Sequence, residues 1–262
     1  MHDERIMIHP TALIDKGAEI DNTAVIGPYT IVGPEVVIGA NTTVGSHAVI
    51  AGKTSIGEDN KIFHHVSLGE IPQDMKYKNE DTTLTIGNGN VIREFCTFNL
   101  GTVQDRSDTK IGNKNWIMAY VHVAHDCILG DNIILANCVQ LGGHVVIDNN
   151  AFLGGFTGVH QFCRIGTHAM AGVGSVVLAD IIPYVTVMGN RARPYGVNTE
   201  GLKRSHFSLE DIAKIKFAYK LIFRSGLSLE DALQKLKEAN GDNEKVNKII
   251  KFINNSKRSI VR

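Results

Sequence analysis

A three-sided parallel β-helix followed by a small α-helical domain is the fold that this sequence predicts. Three observations point there: an aliphatic residue at every sixth position, many glycines beside few aromatic rings, and a change to helical periodicity near the C-terminal end. The hexad begins at Ile8 and runs without a break through Ile14, Ile20, Ile26, Val32, Ile38, Val44, Ile50, Ile56 and Ile62 to Leu68. A six-residue period fits neither the 3.6-residue turn of a helix nor the two-residue alternation of a plain strand. Short strands separated by corners remain, and three hexads close an 18-residue coil with Ile, Val and Leu inside. Glycine often follows the aliphatic residue (Gly27, Gly33, Gly39, Gly45, Gly57, Gly69), and its tolerance of positive φ suits a corner there. The fifth hexad place is small, as at Ala12, Ala18, Ala24, Thr30, Thr42, Ala48 and Thr54.

The repeat resumes at Ile86, Ile92 and Phe98, and again from Ile111 through Leu141 and Ile165 to Val177. About nine coils at the ~4.8 Å strand spacing make a rod roughly 40 Å long. Two polar interruptions, 70–85 and 100–110, read as loops pushed out of the solenoid, and long loops on rigid scaffolds tend to carry function. After Pro183 the hexads stop. Ser208 with Asp211 reads as a capping box opening a helix whose apolar stripe is Ile212, Ile215, Tyr219 and Ile222, ending at Gly226. Ser228 with Asp231 opens a second helix; Val246, Ile249, Ile250 and Ile253 mark a third. The predicted division is therefore a β-helix over 1–190 and a helical domain over 191–262.

Composition excludes some functions. The 262 residues carry 27 Lys+Arg and 27 Asp+Glu, so no net charge draws the chain to nucleic acid or an anionic membrane. No apolar run approaches the ~18 residues of a membrane span, and Met1-His2-Asp3-Glu4-Arg5 lacks the layout of a signal peptide, which predicts a cytoplasmic protein. With 26 Gly and 6% aromatics, the interior is narrow and aliphatic. Cys96, Cys127, Cys138 and Cys163 form no CxxC pair. Cys127 and Cys163 fall at small inward places two coils apart, roughly 10 Å, too far for a disulfide. Charge is uneven nonetheless: Arg191, Arg193, Lys203, Arg204, Lys214, Lys216, Lys220 and Arg224 make one stretch basic. Either it is a solvated helix surface, or it is a dock for an acidic partner or a nucleotide diphosphate.

Histidines supply the candidate chemistry. His122, His125, His144, His160 and His168 lie in the last uninterrupted run. The 18-residue coil puts His125, Gly143 and Gln161 in one column, Asp126 and His144 in the next, and Gly142 with His160 on the other side. None takes the inward aliphatic place, so they form a stripe outside the prism. Ordinary polar decoration is one reading. A zinc site using His122-x-x-His125 is a second. General-base catalysis, for which imidazole is the side chain best tuned near neutral pH, is the third and best supported. Asp126 could hold the His125 tautomer, although strand neighbours often point apart and another acceptor could do so instead. Gly142-Gly143 leaves a bare backbone N–H able to approach a developing oxyanion. A base and an oxyanion donor in one column describe acyl transfer, and no nucleophilic serine or cysteine is needed.

The pattern [LIV]-G-x-x-[STA]-x resembles the hexapeptide-repeat acyltransferases, whose coils are left-handed. More specifically, His122-Val-Ala-His125-Asp126-Cys127, Gly143-His144, His160-Gln161-Phe162-Cys163, Gly189-Asn190 and Tyr195 to Arg204 resemble the UDP-N-acetylglucosamine acyltransferase family. So do Gly69-Glu70, Gln73-Asp74-Met75-Lys76-Tyr77 and Gly101-Thr102-Val103-Gln104. That resemblance covers the whole chain. It implies transfer of an (R)-3-hydroxyacyl group from acyl carrier protein to the 3-hydroxyl of UDP-N-acetylglucosamine, the step that opens lipid A biosynthesis. It also implies a homotrimer with active sites between subunits, and no cofactor, the 4′-phosphopantetheine arriving with the carrier. His125 is then the base and the Gly143 N–H the oxyanion donor. Gln73, Asp74, Lys76, His122, His144, His160 and Gln161 hold the glucosamine and the acyl-pantetheine arm, and Asn198, Glu200 and Arg204 the uridine and phosphates.

Two positions depart from the family's pattern. Ser205 stands where members often carry a second Arg, which puts one phosphate contact in doubt. Val173, expected in a column with Asn137, Gly155 and Arg191 at the end of the acyl groove, replaces a glycine and predicts a shorter acyl chain. Three other readings are the related N-acyltransferase of the same pathway, which has an extra N-terminal domain, a zinc hydratase, and a non-catalytic prism. The hydratase resemblance lacks its H-x4-H spacing here.

Overall fold

The structure, a computed structural model, describes residues 7–240 and 242–262. The Met1–Arg5 stretch that bears on a signal peptide lies outside the described residues. Strands of mostly two residues form three sheets of nine, eight and ten strands, the three faces of the predicted prism. Neighbours pair in parallel eighteen residues apart, as Ile14 with Val32 and Ile20 with Ile38. The interior is the aliphatic column: Val32, Ile38, Ile50, Ile56 and Leu68 are each at most 1% exposed. The exception is the first described coil, where Ile8 is 42% exposed.

Both interruptions are loops, as expected, but each is shorter than its predicted range. Strand Ser67–Glu70 precedes the first, and pairing resumes at Thr83; Thr97–Asn99 precedes the second, and pairing resumes at Asp108. Because Leu68 pairs with Phe98 and Phe98 with Val123, the insertions lengthen two successive coils without disturbing the stack. The fifth hexad place is also more varied than small aliphatics. Thr30 and Thr42 are buried there and donate to the Gly45 and Gly57 carbonyls at 2.7 and 2.8 Å. Asn60, Asn90 and Asn115 form a buried amide ladder, Asn60 Oδ1 accepting from the Asn90 N–H at 2.9 Å and Asn90 Oδ1 from the Asn115 N–H at 2.9 Å.

Of the hexad glycines, Gly69 has the predicted positive φ, at 81°, whereas Gly27, Gly39 and Gly45 do not. They allow close stacking of coils instead: a Cβ on Gly39 would lie 2.7 Å from the Gly57 carbonyl carbon, and one on Gly45 2.6 Å from the His64 nitrogen. Left-handed backbone falls two residues later, at Tyr29, Asn41, His47, Asp59, Asp126, His144 and Phe162 among others, with φ between 55° and 66°. Such φ values favour Asn, Asp and His among non-glycine residues. The corner that turns each coil therefore also selects residue types suited to chemistry.

The C-terminal part is less helical than predicted. Strand Val185–Met188 pairs in parallel with Met170–Ala171 and antiparallel with Arg193–Val197, so a hairpin spans the boundary expected at 190. Helix α1 (Thr199–Arg204) follows, an element the sequence reading missed. Helices α2 (Leu209–Phe223), α3 (Leu229–Asn240) and α4 (Glu244–Asn254) are the three expected. Ser208 and Ser228 cap α2 and α3 by accepting from the Asp211 and Asp231 N–H groups at 3.0 and 3.1 Å. The Asp211 carboxylate also accepts from the Asn243 amide at 2.9 Å, tying α2 to the start of α4.

Where the prism meets the hairpin, the coil shortens. Ile165 pairs with Ile181, Met170 with Thr186 and Ala171 with Val187, each sixteen residues on. The predicted column through Asn137, Gly155 and Val173 therefore continues to Gly189. Arg191, predicted in that column, lies two residues beyond it because the last coil has lost two residues.

Candidate active site

His125 stands on the corner after strand His122–Val123, and its Nδ1 is 2.9 Å from Asp126 Oδ2. Sequence neighbours can meet because Asp126 is in the left-handed conformation, with φ 58°, which folds its carboxylate back under the preceding ring. Asp126 is fully buried. Burial pushes its carboxyl pKa upward, but hydrogen bonds from His125 and from the Thr102 hydroxyl and N–H outweigh that and hold it below the ordinary carboxylate value. Thr102 Oγ1 donates at 2.6 Å and its backbone N–H at 3.0 and 3.1 Å. The second loop thus exists in part to fix the carboxylate that orients His125.

One coil along, a Cβ on Gly143 would lie 2.6 Å from His125 Cε1 and 2.7 Å from Nε2. The backbone of Gly143 is therefore packed directly on the imidazole, and its N–H has no acceptor among the described residues. His144 meets His125 edge-on with ring centroids 4.9 Å apart, stacks on Phe162 at 4.2 Å, and pairs through Nδ1 with Asp105 Oδ2 at 2.9 Å. Asp105 had no assigned part in the sequence reading. Its position in a protruding loop was the available signal, but a loop's geometry cannot be computed from a hexad register.

His125, His144, Phe162 and Asp105 line a cleft of about 1230 Å³ that also contains Gln73, Asp74, Lys76, His122 and Gln161. The first loop and the histidine stripe, distant in sequence, are thereby brought together. His122 is held by Thr97, Nδ1 to Oγ1 2.8 Å, and burial lowers its pKa. Asn99 also lines the cleft at 5% exposure; its amide nitrogen donates to the Ile71 carbonyl at 3.0 Å, while its Oδ1 is buried without a partner. Such an acceptor suits a ligand N–H or O–H.

Other predicted residues lie elsewhere. His160 is beside the cleft, joined to Arg258, while Asn198, Glu200 and Arg204 do not line it. Asn198 caps α1, accepting from the Gly201 N–H and donating to the His168 carbonyl at 3.0 Å; Glu200 is paired with Lys203 at 2.9 Å; Arg204 is exposed. Gly155 and Val173 are on another corner of the prism, Val173 74% exposed.

Thr97 engages His122 Nδ1, so only Nε2 of His122 is left for the zinc pairing considered with His125. Among the described residues, His125, Asp126 and His144 are close enough to share an ion, their donor atoms within 4.8 Å of one another. Cys127 is not a nucleophile waiting for a base: it is wholly buried, burial pushes its thiol up to about 12, and Sγ donates to the Gly142 carbonyl at 3.2 Å. Burial likewise raises Cys163 to about 11.

Stacked hexads bearing an outward histidine, a buried orienting carboxylate and an open glycine N–H define a hexapeptide-repeat transferase. The model of the bacterial transferase hexapeptide matches residues 17–52 and 108–143, and that of UDP-N-acetylglucosamine O-acyltransferase domain 2 matches 180–261. Acyl-[acyl-carrier-protein]–UDP-N-acetylglucosamine O-acyltransferases of Thiobacillus denitrificans and Janthinobacterium sp. are 55% and 56% identical over 97% and 98% of this chain, and over 99% of their own lengths. The solved UDP-N-acetylglucosamine O-acyltransferase of Moraxella catarrhalis is 47% identical, with a TM-score of 0.95 over 98% of this chain and 100% of its own. The chain belongs to the UDP-N-acetylglucosamine O-acyltransferase family.

Proposed function

We propose that this cleft transfers an (R)-3-hydroxyacyl group from acyl carrier protein to the 3-hydroxyl of UDP-N-acetylglucosamine, with His125 as general base. The activity is acyl transfer to UDP-N-acetylglucosamine, the first step of lipid A biosynthesis, as in the relatives. The observation that carries the mechanism is the His125 imidazole set between the Asp126 carboxylate and the open Gly143 N–H. Asp126 on Nδ1 leaves Nε2 free to take the sugar hydroxyl proton and stabilises the imidazolium that results. The oxygen attacks the thioester carbonyl and forms the C–O bond, the Gly143 N–H receives the resulting oxyanion, and the C–S bond breaks as the carbonyl re-forms. The imidazolium then returns its proton to the departing pantetheine sulfur. No step requires a metal.

Gln73, Asp74, Lys76, His122, His144 and Gln161, gathered in the cleft, are the proposed contacts to the sugar and the pantetheine arm. Asn198, Glu200 and Arg204 are assigned to the nucleotide of a neighbouring subunit's cleft. Two observations support a trimer. These three residues are separate from their own chain's cleft, and a ladder of exposed rings runs along another corner, Tyr29, His47, His65, Phe95 and Tyr120 stacked at 4.9 to 5.2 Å. Tyr29 and Tyr120 are 59% and 55% exposed, an apolar stripe suited to another copy. The acidic carrier protein is assigned to the basic residues at the cleft, including Arg164 and Lys257. Within the basic stretch from Arg191 to Arg224, Lys203 and Lys214 are engaged by Glu200 and Glu210.

Val173, stacked in register above Gly155, sets the length of the acyl groove in this reading. The test is the mass of product formed from a mixture of 3-hydroxyacyl carrier proteins. Wild type is expected to yield a single-acyl O-ester of UDP-N-acetylglucosamine with a short chain preferred, and Val173→Gly to shift the preference to longer chains. An unchanged profile rejects the role of Val173, and absence of the ester rejects the activity.

A further inference from the structure

The C-terminal tail returns to the prism and delivers a side chain to the cleft that the mechanism above does not use. Asp180, 1% exposed, fastens this tail. Its Oδ2 accepts from Ser256 Oγ at 2.7 Å, its N–H donates to the Ser259 carbonyl at 3.0 Å, and its carbonyl accepts from the Val261 N–H at 2.8 Å. Arg258 is thus pinned on both sides. Its Nη1 donates to the Gln161 carbonyl at 2.6 Å and lies 3.1 Å from His160 Nδ1. Arg258 also lines the cleft.

A guanidinium has N–H donors and no acceptor. His160 Nδ1 facing it must present its lone pair, which leaves the imidazole hydrogen on Nε2. An alternative exists, because Nδ1 is also 3.2 Å from the Gln161 carbonyl and could donate there if Arg258 were absent. Arg258 removes that option twice over, by occupying the carbonyl and by donating to the nitrogen. We propose that Arg258 is a positioning residue: it fixes His160 as the Nε2–H tautomer and so presents an N–H donor for the acceptor substrate at the edge of the cleft. This inference rests on the assignment of His160 to substrate binding under Proposed function.

The experiment combines nitrogen NMR of 15N-histidine-labelled protein, which distinguishes the two tautomers, with steady-state kinetics of wild type, Arg258→Lys, Arg258→Gln and Arg258→Ala. In the free enzyme, wild type is expected to show His160 protonated at Nε2, and Arg258→Ala to show it protonated at Nδ1. KM for UDP-N-acetylglucosamine should rise about tenfold in Arg258→Ala with kcat within about twofold, the loss of one hydrogen bond to the substrate. Lys, which keeps a cationic donor, should retain the tautomer and part of the affinity. In a His160→Ala background, the contribution of Arg258 to KM should largely disappear. An unaltered tautomer in Arg258→Ala, or an unaltered KM, overturns the proposal; lowered thermal stability with an unaltered tautomer makes Arg258 a structural latch alone. The NMR arm requires no substrate. If wild type failed to acylate the sugar nucleotide, the functional reading would fall while the tautomer assignment would still be tested.

Discussion

Replacing His125 with alanine is expected to lower kcat by about 10² to 10⁴, the usual contribution of a positioned general base, while leaving KM for both substrates close to wild type. The loss falls on kcat because the proton moves only as the sugar oxygen attacks. Steady-state kinetics with acyl carrier protein and UDP-N-acetylglucosamine check this, with the metal content of both proteins measured alongside. Undiminished transfer, or stoichiometric zinc whose removal abolishes wild-type activity, would set general-base catalysis aside.

Gly143→Ala is expected to be nearly as damaging, lowering kcat by about 10² to 10³. One added methyl group would come within 2.6 Å of His125 Cε1, so either the ring or the corner must move. Movement of the ring breaks its alignment with Asp126, and movement of the corner withdraws the N–H from the oxyanion. A variant with wild-type kcat would show that the Gly143 N–H does not receive the oxyanion.

Much of this architecture can be read from the hexad alone. The period fixes three sheets, the aliphatic column fixes the interior, and eighteen-residue arithmetic brings His125 to Gly143 before any coordinates are consulted. That arithmetic fails where the period does: the shortened coil before Val185 moves Arg191 out of register with Val173. Side-chain direction at a corner is equally hidden. Asp126 reaches His125 only because its φ is 58°, and nothing in a repeat pattern places the left-handed residue three positions after the aliphatic one rather than at the glycine. Asp105, Thr102 and Arg258 were beyond reach for a different reason. They arrive on loops or on the tail, whose paths are set by tertiary contacts such as those to Asp126 and Asp180.

The pairing of one chain's His125 cleft with the next chain's Arg204 is tested most directly by mixing two inactive variants. His125→Ala and Arg204→Ala chains, co-assembled at equal amounts, are predicted to regain about a quarter of wild-type kcat, because random assortment in a cyclic trimer leaves that share of clefts with both residues intact. Activity no higher than that of the two parent variants would contradict a site shared between subunits and would return the whole nucleotide grip to a single chain.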